Sequence, residues 1–173
     1  VPQLRERVYI LGVYDPKKRD IPLEVKFDNL KTKEENSIYD IIEKNRVESK
    51  YYITEYEKKV LTAWDEFYRG IKNTVLGFPV WADVFMNKYV IKKSLPKWKQ
   101  KFVRKNQNLY EENKTFIDEW LKKYDYLSDF KPTHKKFEWQ ANSCIKSLWD
   151  GIIQFRPSGI RVKKPNSFPA LVA

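Results

Sequence analysis

The segment from Thr54 to Ile71 constrains the fold of this chain more than any other stretch. Thr54 and Glu57 have the Thr-x-x-Glu spacing of a capping box, in which each side chain bonds the backbone N–H of the other residue. Apolar residues then recur at helical spacing and form one broad stripe: Tyr56, Val60, Leu61, Trp64, Phe67, Tyr68 and Ile71. The pattern predicts an amphipathic helix with its aromatic face in the core, ending near Gly70 and Asn73.

Weaker patterns predict the other elements. Residues 8–13 and 23–27 are typical of strands, and residues 35–48 are typical of a short amphipathic helix. The apolar segment 75–85 is broken by glycine and proline, which favours a loop packed into the core. A helix should begin after Ser94 with Pro96 at its first position, N1, and its boundary with a helix near Thr115 stays open. A last helical face is expected at Phe137, Ala141, Cys144, Ile145 and Leu148, which would bury Cys144 as a small hydrophobe.

Composition excludes several classes of protein. The 173 residues fit one domain, and 42% hydrophobic with 16% aromatic residues argue against disorder. The sequence contains no membrane-spanning run and no signal peptide, so we expect an intracellular protein. Cys144 and His134 are the only residues of their types, which rules out an internal disulfide and a Cys/His zinc cluster, so no metal site is expected. His134 precedes two lysines and is expected at the surface, with a phosphate contact possible.

The net charge of +11 favours a polyanionic partner such as nucleic acid, and one internal segment concentrates that charge. Between Asp83 and Glu111 there are eight Lys or Arg residues and no acid, with Trp98 and Phe102 interleaved. Lysines along a helix here would neutralise phosphates without reading bases. The alternative is an ordinary solvated face. The candidate DNA-binding residues are Lys97, Lys99, Lys101, Arg104 and Lys105.

A second basic segment follows Gly151, where four bases and no acids lie on stretches with strand-like alternation, broken near Gly159. A strand, turn and strand that carry arginine fit a groove of duplex DNA, where arginine can bond guanine O6 and N7 in a bidentate way. Whether these residues read bases or hold phosphates stays open. The candidates are Gln154, Arg156, Ser158, Gly159, Arg161 and Lys163.

At the start of the chain, Gln3, Arg5 and Arg7 alternate with other residues, so an extended chain would place all three side chains on one face. Together they form a fork for a phosphate or a base edge. The alternative is that these three residues are an ordinary charged end of a strand without a binding role. A Glu24-x-Lys26 pattern farther along also allows a third possibility, a Mg²⁺-dependent nuclease, although such a pair is common on the solvent face of a strand.

The Pro-Gln-x-Arg-x-Arg sequence at residues 2–7, followed by a β-branched strand, resembles a motif of DNA cytosine-5 methyltransferases. The segments 154–164 and 168–173 resemble the return from target-recognition domain to catalytic core in bacterial members. The resemblance covers the whole chain in position but is specific only at both ends. It implies that residues 1–14 are a strand of the catalytic core and that residues 15–173 are the target-recognition domain.

The resemblance also implies a function. The fold should be α+β and helix-rich, with short strands at both ends that dock on a Rossmann-like catalytic domain. The parent enzyme would use S-adenosyl-L-methionine to methylate cytosine C5 in double-stranded DNA, in the cytoplasm of a bacterium with a restriction-modification system. Gln3, Arg5 and Arg7 would line the pocket of the flipped cytosine.

The family's Pro-Cys nucleophile loop, its Glu-Asn-Val motif and its Gly-rich cofactor loop do not occur in this sequence. We therefore expect a piece of a larger enzyme that is inactive alone, binds no cofactor itself and needs its catalytic half as partner. The alternative is a stand-alone nucleic-acid-binding module.

Overall fold

The computed structural model of the chain describes residues 47–72, 76–86 and 94–166, with the single positions 16, 42, 45, 91 and 168. The chain divides into two compact units, Val1–Ile42 with Asn166–Ala173, and Glu43–Pro165. Nearly all described residues belong to the second unit. The predicted domain division at residue 14 and the two strands predicted at residues 8–13 and 23–27 lie outside the described residues. So does most of the helix predicted at residues 35–48, whose last two residues, Val47 and Glu48, are described and are not helical.

The described elements, in chain order, are four helices and four strands. They are α1 (Glu55–Gly70), β1 (Val80–Trp81), α2 (Ala82–Met86), α3 (Lys97–Glu112), α4 (Lys114–Lys123), β2 (Lys136–Gln140), β3 (Ile152–Arg156) and β4 (Gly159–Lys163). Short 3₁₀ turns lie at Ser49–Tyr51, Asp125–Leu127 and Leu148–Asp150. The predicted helix-rich α+β class is therefore confirmed. None of the helices in the described part of the chain is both long and apolar enough to cross a membrane.

Helix α1 begins with the predicted capping box. The Thr54 hydroxyl accepts a hydrogen bond from the backbone N–H of Glu57 at 3.2 Å, and the Glu57 carboxylate accepts one from the backbone N–H of Thr54 at 2.8 Å. These bonds satisfy two N–H groups that a helix start otherwise leaves open. The bond from the Thr54 N–H, together with a second from the Thr54 hydroxyl to the same carboxylate oxygen at 2.9 Å, holds the pKa of Glu57 below its usual value. The helix therefore starts where the local sequence predicts.

The four strands form one mixed sheet in the order β1, β2, β4, β3. β3 and β4 are an antiparallel hairpin closed at Arg156 and Gly159, whereas β2 runs parallel to β4 and pairs with it from Phe137 opposite Ile160. Because side chains alternate along a strand, one face of the sheet is apolar and buried. Its fully or nearly fully buried members are Val80, Phe137, Trp139, Ile160 and Val162.

Helix α1 packs across this apolar face through its aromatic stripe. The Trp64 ring stacks on Phe137 with ring centroids 4.9 Å apart, and Tyr68 stacks on Trp139 at 3.5 Å. The indole N–H of Trp64 donates to the backbone carbonyl of His134 at 2.8 Å, so this large side chain is buried without an unpaired polar atom. The prediction that the stripe is core is confirmed.

Asn113 separates α3 from α4, which places the boundary that the sequence left open. Its side-chain oxygen accepts from the backbone N–H of Lys72 at 2.9 Å, and its amide donates to the carbonyl of Leu109 at 3.0 Å. Trp120 of α4 then donates its indole N–H to the carbonyl of Ala63 at 2.8 Å. The bond to Lys72 thus attaches the α3–α4 junction to the segment just after α1, and the bond to Ala63 attaches α4 to the C-terminal half of α1.

Two predictions of local structure are wrong. Residues 136–140 form β2 rather than a helix, since Phe137 and Trp139 bury their side chains on one side of a strand that is paired with β4. Cys144 consequently lies in the turn after β2 and is exposed instead of buried. The segment 75–85, where described, is only partly a loop, because it contains β1 and most of α2.

Candidate nucleic-acid interface

Helix α3 carries a basic face. It begins at Pro96, whose carbonyl accepts from the backbone N–H of Lys99 at 2.9 Å and of Gln100 at 3.1 Å. Pro96 is thus the N-cap residue, one position before the N1 position predicted for it, and the helix begins at Lys97. The helix buries Val103, Asn106 and Leu109. On the opposite side lie four of the five predicted bases, at the i, i+4, i+7 and i+8 spacing that brings side chains onto one face: Lys97, Lys101, Arg104 and Lys105.

These four side chains lie along a shallow surface groove of about 430 Å³, together with Gln100 and Asn108. Within the described ranges, no carboxylate forms an ion pair with any of the four. Lys105 places its ammonium group 5.2 Å from the centre of the Phe78 ring, and the other three are exposed. The groove can therefore offer its positive charge to an anion.

The charge distribution of α3 opposes its helix dipole. Its first turn has no acid and its last turn has no base, while Lys97 and Lys99 lie where the dipole disfavours cations. Each such charge costs a few tenths of a kcal/mol, about 0.3–1 at low salt. A local arrangement that costs stability is expected where function requires it. The basic first turn is therefore a functional candidate.

Lys99 does not share the groove. It is half-buried on the side of α3 that also carries Val103 and Asn106. Trp98 is 59% exposed, with its ring edge-on to Phe102 at 5.9 Å. The interleaved aromatics therefore separate into an exposed indole beside the lysines and a half-buried phenyl ring.

The β3–β4 hairpin has the predicted strand, turn and strand. Gln154, Arg156, Arg161 and Lys163 alternate with the inward residues and lie on the outer face of the sheet, half-buried. Ser158 is exposed in the turn. Gly159 has a φ of 128°, and a Cβ atom there would lie 2.7 Å from the Cβ of Lys136. Packing thus requires glycine at this position, while its predicted DNA contact stays a prediction.

Sequence reasoning missed Glu138, which organises the outer face of the sheet. Its Oε2 atom lies 2.9 Å from Nη2 of Arg161 and 3.4 Å from Nη1 of Arg156. Its Oε1 atom accepts from the side-chain amide of Gln140 at 2.6 Å. The alternation Lys-Phe-Glu-Trp-Gln at residues 136–140 is the signal that could have revealed this residue, because it places Glu138 on the polar face of a strand.

The two basic surfaces lie toward opposite edges of the sheet. Asn106 bonds α3 to the edge strand β1: it accepts from the backbone N–H of Trp81 at 2.8 Å and donates to the carbonyl of Pro79 at 3.0 Å. The hairpin forms the other edge. Three strand spacings of about 4.8 Å separate β1 from β3, roughly 14 Å.

His134 is 8% exposed, and the prediction that it lies at the surface is therefore wrong. Its Nδ1 atom lies 3.1 Å from the hydroxyl of Tyr56, which already accepts from the backbone N–H of Lys131 at 2.9 Å. The hydroxyl proton is thus available to Nδ1, which suits a neutral imidazole with its proton on Nε2. Burial, and secondarily the charge of Lys131, lowers the pKa of His134.

Gln3, Arg5 and Arg7, the predicted pocket residues, lie outside the described part of the chain. Within that part, no group of three or more His, Cys, Asp or Glu side chains is placed to hold a metal ion.

Comparison with known proteins finds similarity to the Type II methyltransferase M.AluI of Cellulosimicrobium cellulans. The two are 29% identical in an alignment 169 positions long, and the match covers 70% of this chain and 32% of the relative. This chain therefore spans about a third of the length of the relative that it matches. No protein-family model matches the chain. No solved structure matches it either.

Proposed function

We propose that this chain is the target-recognition region of a type II DNA methyltransferase from a bacterial restriction-modification system. The similarity to the methyltransferase M.AluI carries the proposal. The proposed region binds double-stranded DNA and selects the sequence to be modified. The remainder of the enzyme binds S-adenosylmethionine and transfers its methyl group.

The two basic surfaces support a division of labour in DNA binding. The groove on α3 presents flexible lysines without acidic partners, which suits sequence-independent contacts with phosphates. The outer face of the hairpin presents arginines and Gln154 on a rigid sheet, which suits contacts with base edges. In this proposal α3 supplies affinity and the hairpin supplies specificity.

The finer chemistry is proposed from the motif at the start of the chain. Methylation at cytosine C5 requires the base to be flipped out of the duplex, and Gln3, Arg5 and Arg7 would contact it there. This part of the proposal depends on the resemblance of residues 2–7 to the methyltransferase motif.

The first experiment measures the affinity of the chain for a fluorescein-labelled duplex of mixed sequence by anisotropy, over a range of salt concentrations. The logarithm of the affinity should fall linearly with the logarithm of the salt concentration, by about 0.9 per phosphate neutralised. Replacing Lys97, Lys101 and Arg104 by glutamine should weaken binding to all sequences alike and reduce the slope. A flat salt response would contradict the proposal.

A matched control keeps the change of charge but moves it off the groove. Lys58, Lys122 and Lys146 are exposed on other parts of the described surface and form no ion pairs there. Their replacement by glutamine should weaken binding much less. Equal losses from both triple variants would show that net charge, rather than the groove, determines affinity.

The alternative, a stand-alone nucleic-acid-binding module, is supported by the same basic groove, which needs no catalytic partner. Mixing the chain with a separately produced catalytic half of a related methyltransferase, labelled S-adenosylmethionine and duplex DNA distinguishes the two. Methyl transfer that requires both pieces, and is lost in Arg7→Ala, supports the methyltransferase. Salt-dependent DNA binding without methyl transfer by any compatible half favours the binding module.

A further inference from the structure

The outer face of the sheet holds one acidic side chain among its bases, at the centre of a row across three strands. Glu138 on β2 is the register partner of Arg161 on β4, and Arg161 is the register partner of Gln154 on β3. All three side chains therefore project from the same face of the sheet. A carboxylate in the middle of a surface proposed to bind DNA needs an explanation, because it repels phosphates.

The contact between Glu138 and Arg161 uses a particular edge of the guanidinium group. Nε of Arg161 lies 3.0 Å from Oε2 of Glu138, and Nη2 lies 2.9 Å from the same oxygen. A guanidinium has five N–H bonds; the hydrogen bond to Glu138 uses the one on Nε, and the close Nη2 contact lies on the same edge of the group. The end formed by Nη1 and Nη2 keeps its pair of parallel donors.

The carboxylate is itself held in place. Its second oxygen accepts from Gln140 at 2.6 Å, and Arg156 approaches Oε2 at 3.4 Å. The side chains of Arg161, Glu138 and Arg156 are only 23%, 29% and 30% exposed. Arg161 is thus ordered before any ligand arrives, which lowers the entropy lost on binding.

Two parallel donors on a fixed, planar group match the O6 and N7 acceptors of guanine in the major groove. A side chain that only neutralised phosphate would gain nothing from a carboxylate partner, which cancels part of its charge. The pair therefore suits base recognition better than phosphate binding.

We propose that Glu138 is a positioning residue that fixes Arg161 for bidentate recognition of a guanine in the target sequence. The inference rests on the proposed function, since it concerns which group reads the DNA. Glu138 contributes specificity while lowering non-specific affinity, and it acts through Arg161 rather than by contact with the DNA.

The experiment first selects duplexes from a pool with a randomised eight-base-pair centre, using the wild-type chain and its Glu138→Gln variant. Guanine enrichment at one selected position should fall by at least about fivefold in Glu138→Gln, given the usual 1–3 kcal/mol of discrimination in a bidentate contact. Affinity for an alternating A·T duplex should stay unchanged or rise, because a negative charge has been removed. Arg161→Lys keeps the charge but loses the planar fork, and should lose the same enrichment.

Glu119→Gln provides the matched control, since Glu119 is exposed on α4 and forms no described ion pair. It should change non-specific affinity slightly and leave guanine enrichment intact. Replacing the selected guanine by 7-deazaguanine removes N7 and should weaken wild-type binding, but should have little further effect on Glu138→Gln.

The outcomes separate this inference from the proposed function. Wild-type binding with guanine enrichment that persists in Glu138→Gln would overturn the inference and leave the proposed function standing. No binding of any duplex by the wild-type chain would overturn both. The ion pair can also be tested without DNA by nuclear magnetic resonance. The Nε–H of Arg161 should exchange slowly with solvent in the wild type and rapidly in Glu138→Gln. Equal exchange rates would overturn the inference.

Discussion

Replacing Asn106 by alanine should destabilise the protein by detaching α3 from the sheet. Asn106 is fully buried, and its side chain makes three hydrogen bonds, with the N–H of Trp81 and the carbonyls of Pro79 and Phe102. The Trp81 and Pro79 groups belong to the edge of the sheet beside α3 and would lose their partner. The carbonyl of Phe102 lies within the helix and keeps its helical hydrogen bond.

The magnitude follows from these losses. An unsatisfied backbone donor or acceptor costs about 1–3 kcal/mol, so two partly buried groups cost roughly 2–4 kcal/mol. Alanine is a better helix former than asparagine by about 0.6 kcal/mol, which offsets part of the loss. We expect the free energy of unfolding to fall by roughly 1.5–3.5 kcal/mol.

Asn108→Ala provides the matched control, because Asn108 is exposed on the same helix and makes no described hydrogen bond. It should gain about 0.6 kcal/mol from helix propensity alone. Urea unfolding followed by tryptophan fluorescence reports both variants, and the midpoint should shift without a change of slope. A difference of less than about 1 kcal/mol between the two would refute the assigned role of Asn106.

Three further predictions concern stability. Thr54→Ala should lower the free energy of unfolding by about 1 kcal/mol in urea titrations, through loss of the capping box, whereas Thr54→Ser should have a small effect. Gly159→Ala should lower the free energy of unfolding by about 2 kcal/mol or more, because the backbone φ is 128° and the new Cβ atom would lie 2.8 Å from the backbone oxygen of Lys136. Gly77→Ala is the control and should be nearly neutral, since no atom lies within 4 Å of the new Cβ. Equal effects of the two substitutions would contradict the packing argument. The pKa of His134 is lowered in the folded state, so the unfolded chain binds the proton more readily. Stability should therefore decrease as the pH falls below about 6.5. Melting temperatures measured from pH 7.5 to pH 5 should fall less in His134→Gln than in the wild type.

The elements that the sequence predicts correctly depend on signals between near neighbours. Thr54 and Glu57 are three residues apart, and the stripe of α1 needs no partner to be recognised. The hairpin is similar, since alternation on either side of Pro157 and Gly159 indicates two strands and a turn. The division of α3 into a basic face and a buried face also follows from helical periodicity.

The errors arise where distant residues decide the structure. Phe137 and Ala141 are spaced as on a helix, but the pairing of β2 with β4 gives that segment a strand conformation, and its partner lies more than twenty residues away. The burial of His134 also depends on a distant residue, because Tyr56, 78 residues earlier in the chain, contacts its ring. Glu138 was missed for the same reason, since its role depends on a parallel neighbour.

If the β3–β4 hairpin reads DNA as proposed, its alternation has a consequence for how target preference can diversify. Inward residues Ile153, Ile160 and Val162 pack against the core, while outward residues Gln154, Arg161 and Lys163 do not contribute to it. A lineage, or a designed library, can therefore replace the outward set without disturbing the scaffold. Glu138 would have to change together with Arg161, since a carboxylate without its cation would oppose any new contact with DNA. New specificities on this scaffold should thus arise through paired rather than single substitutions.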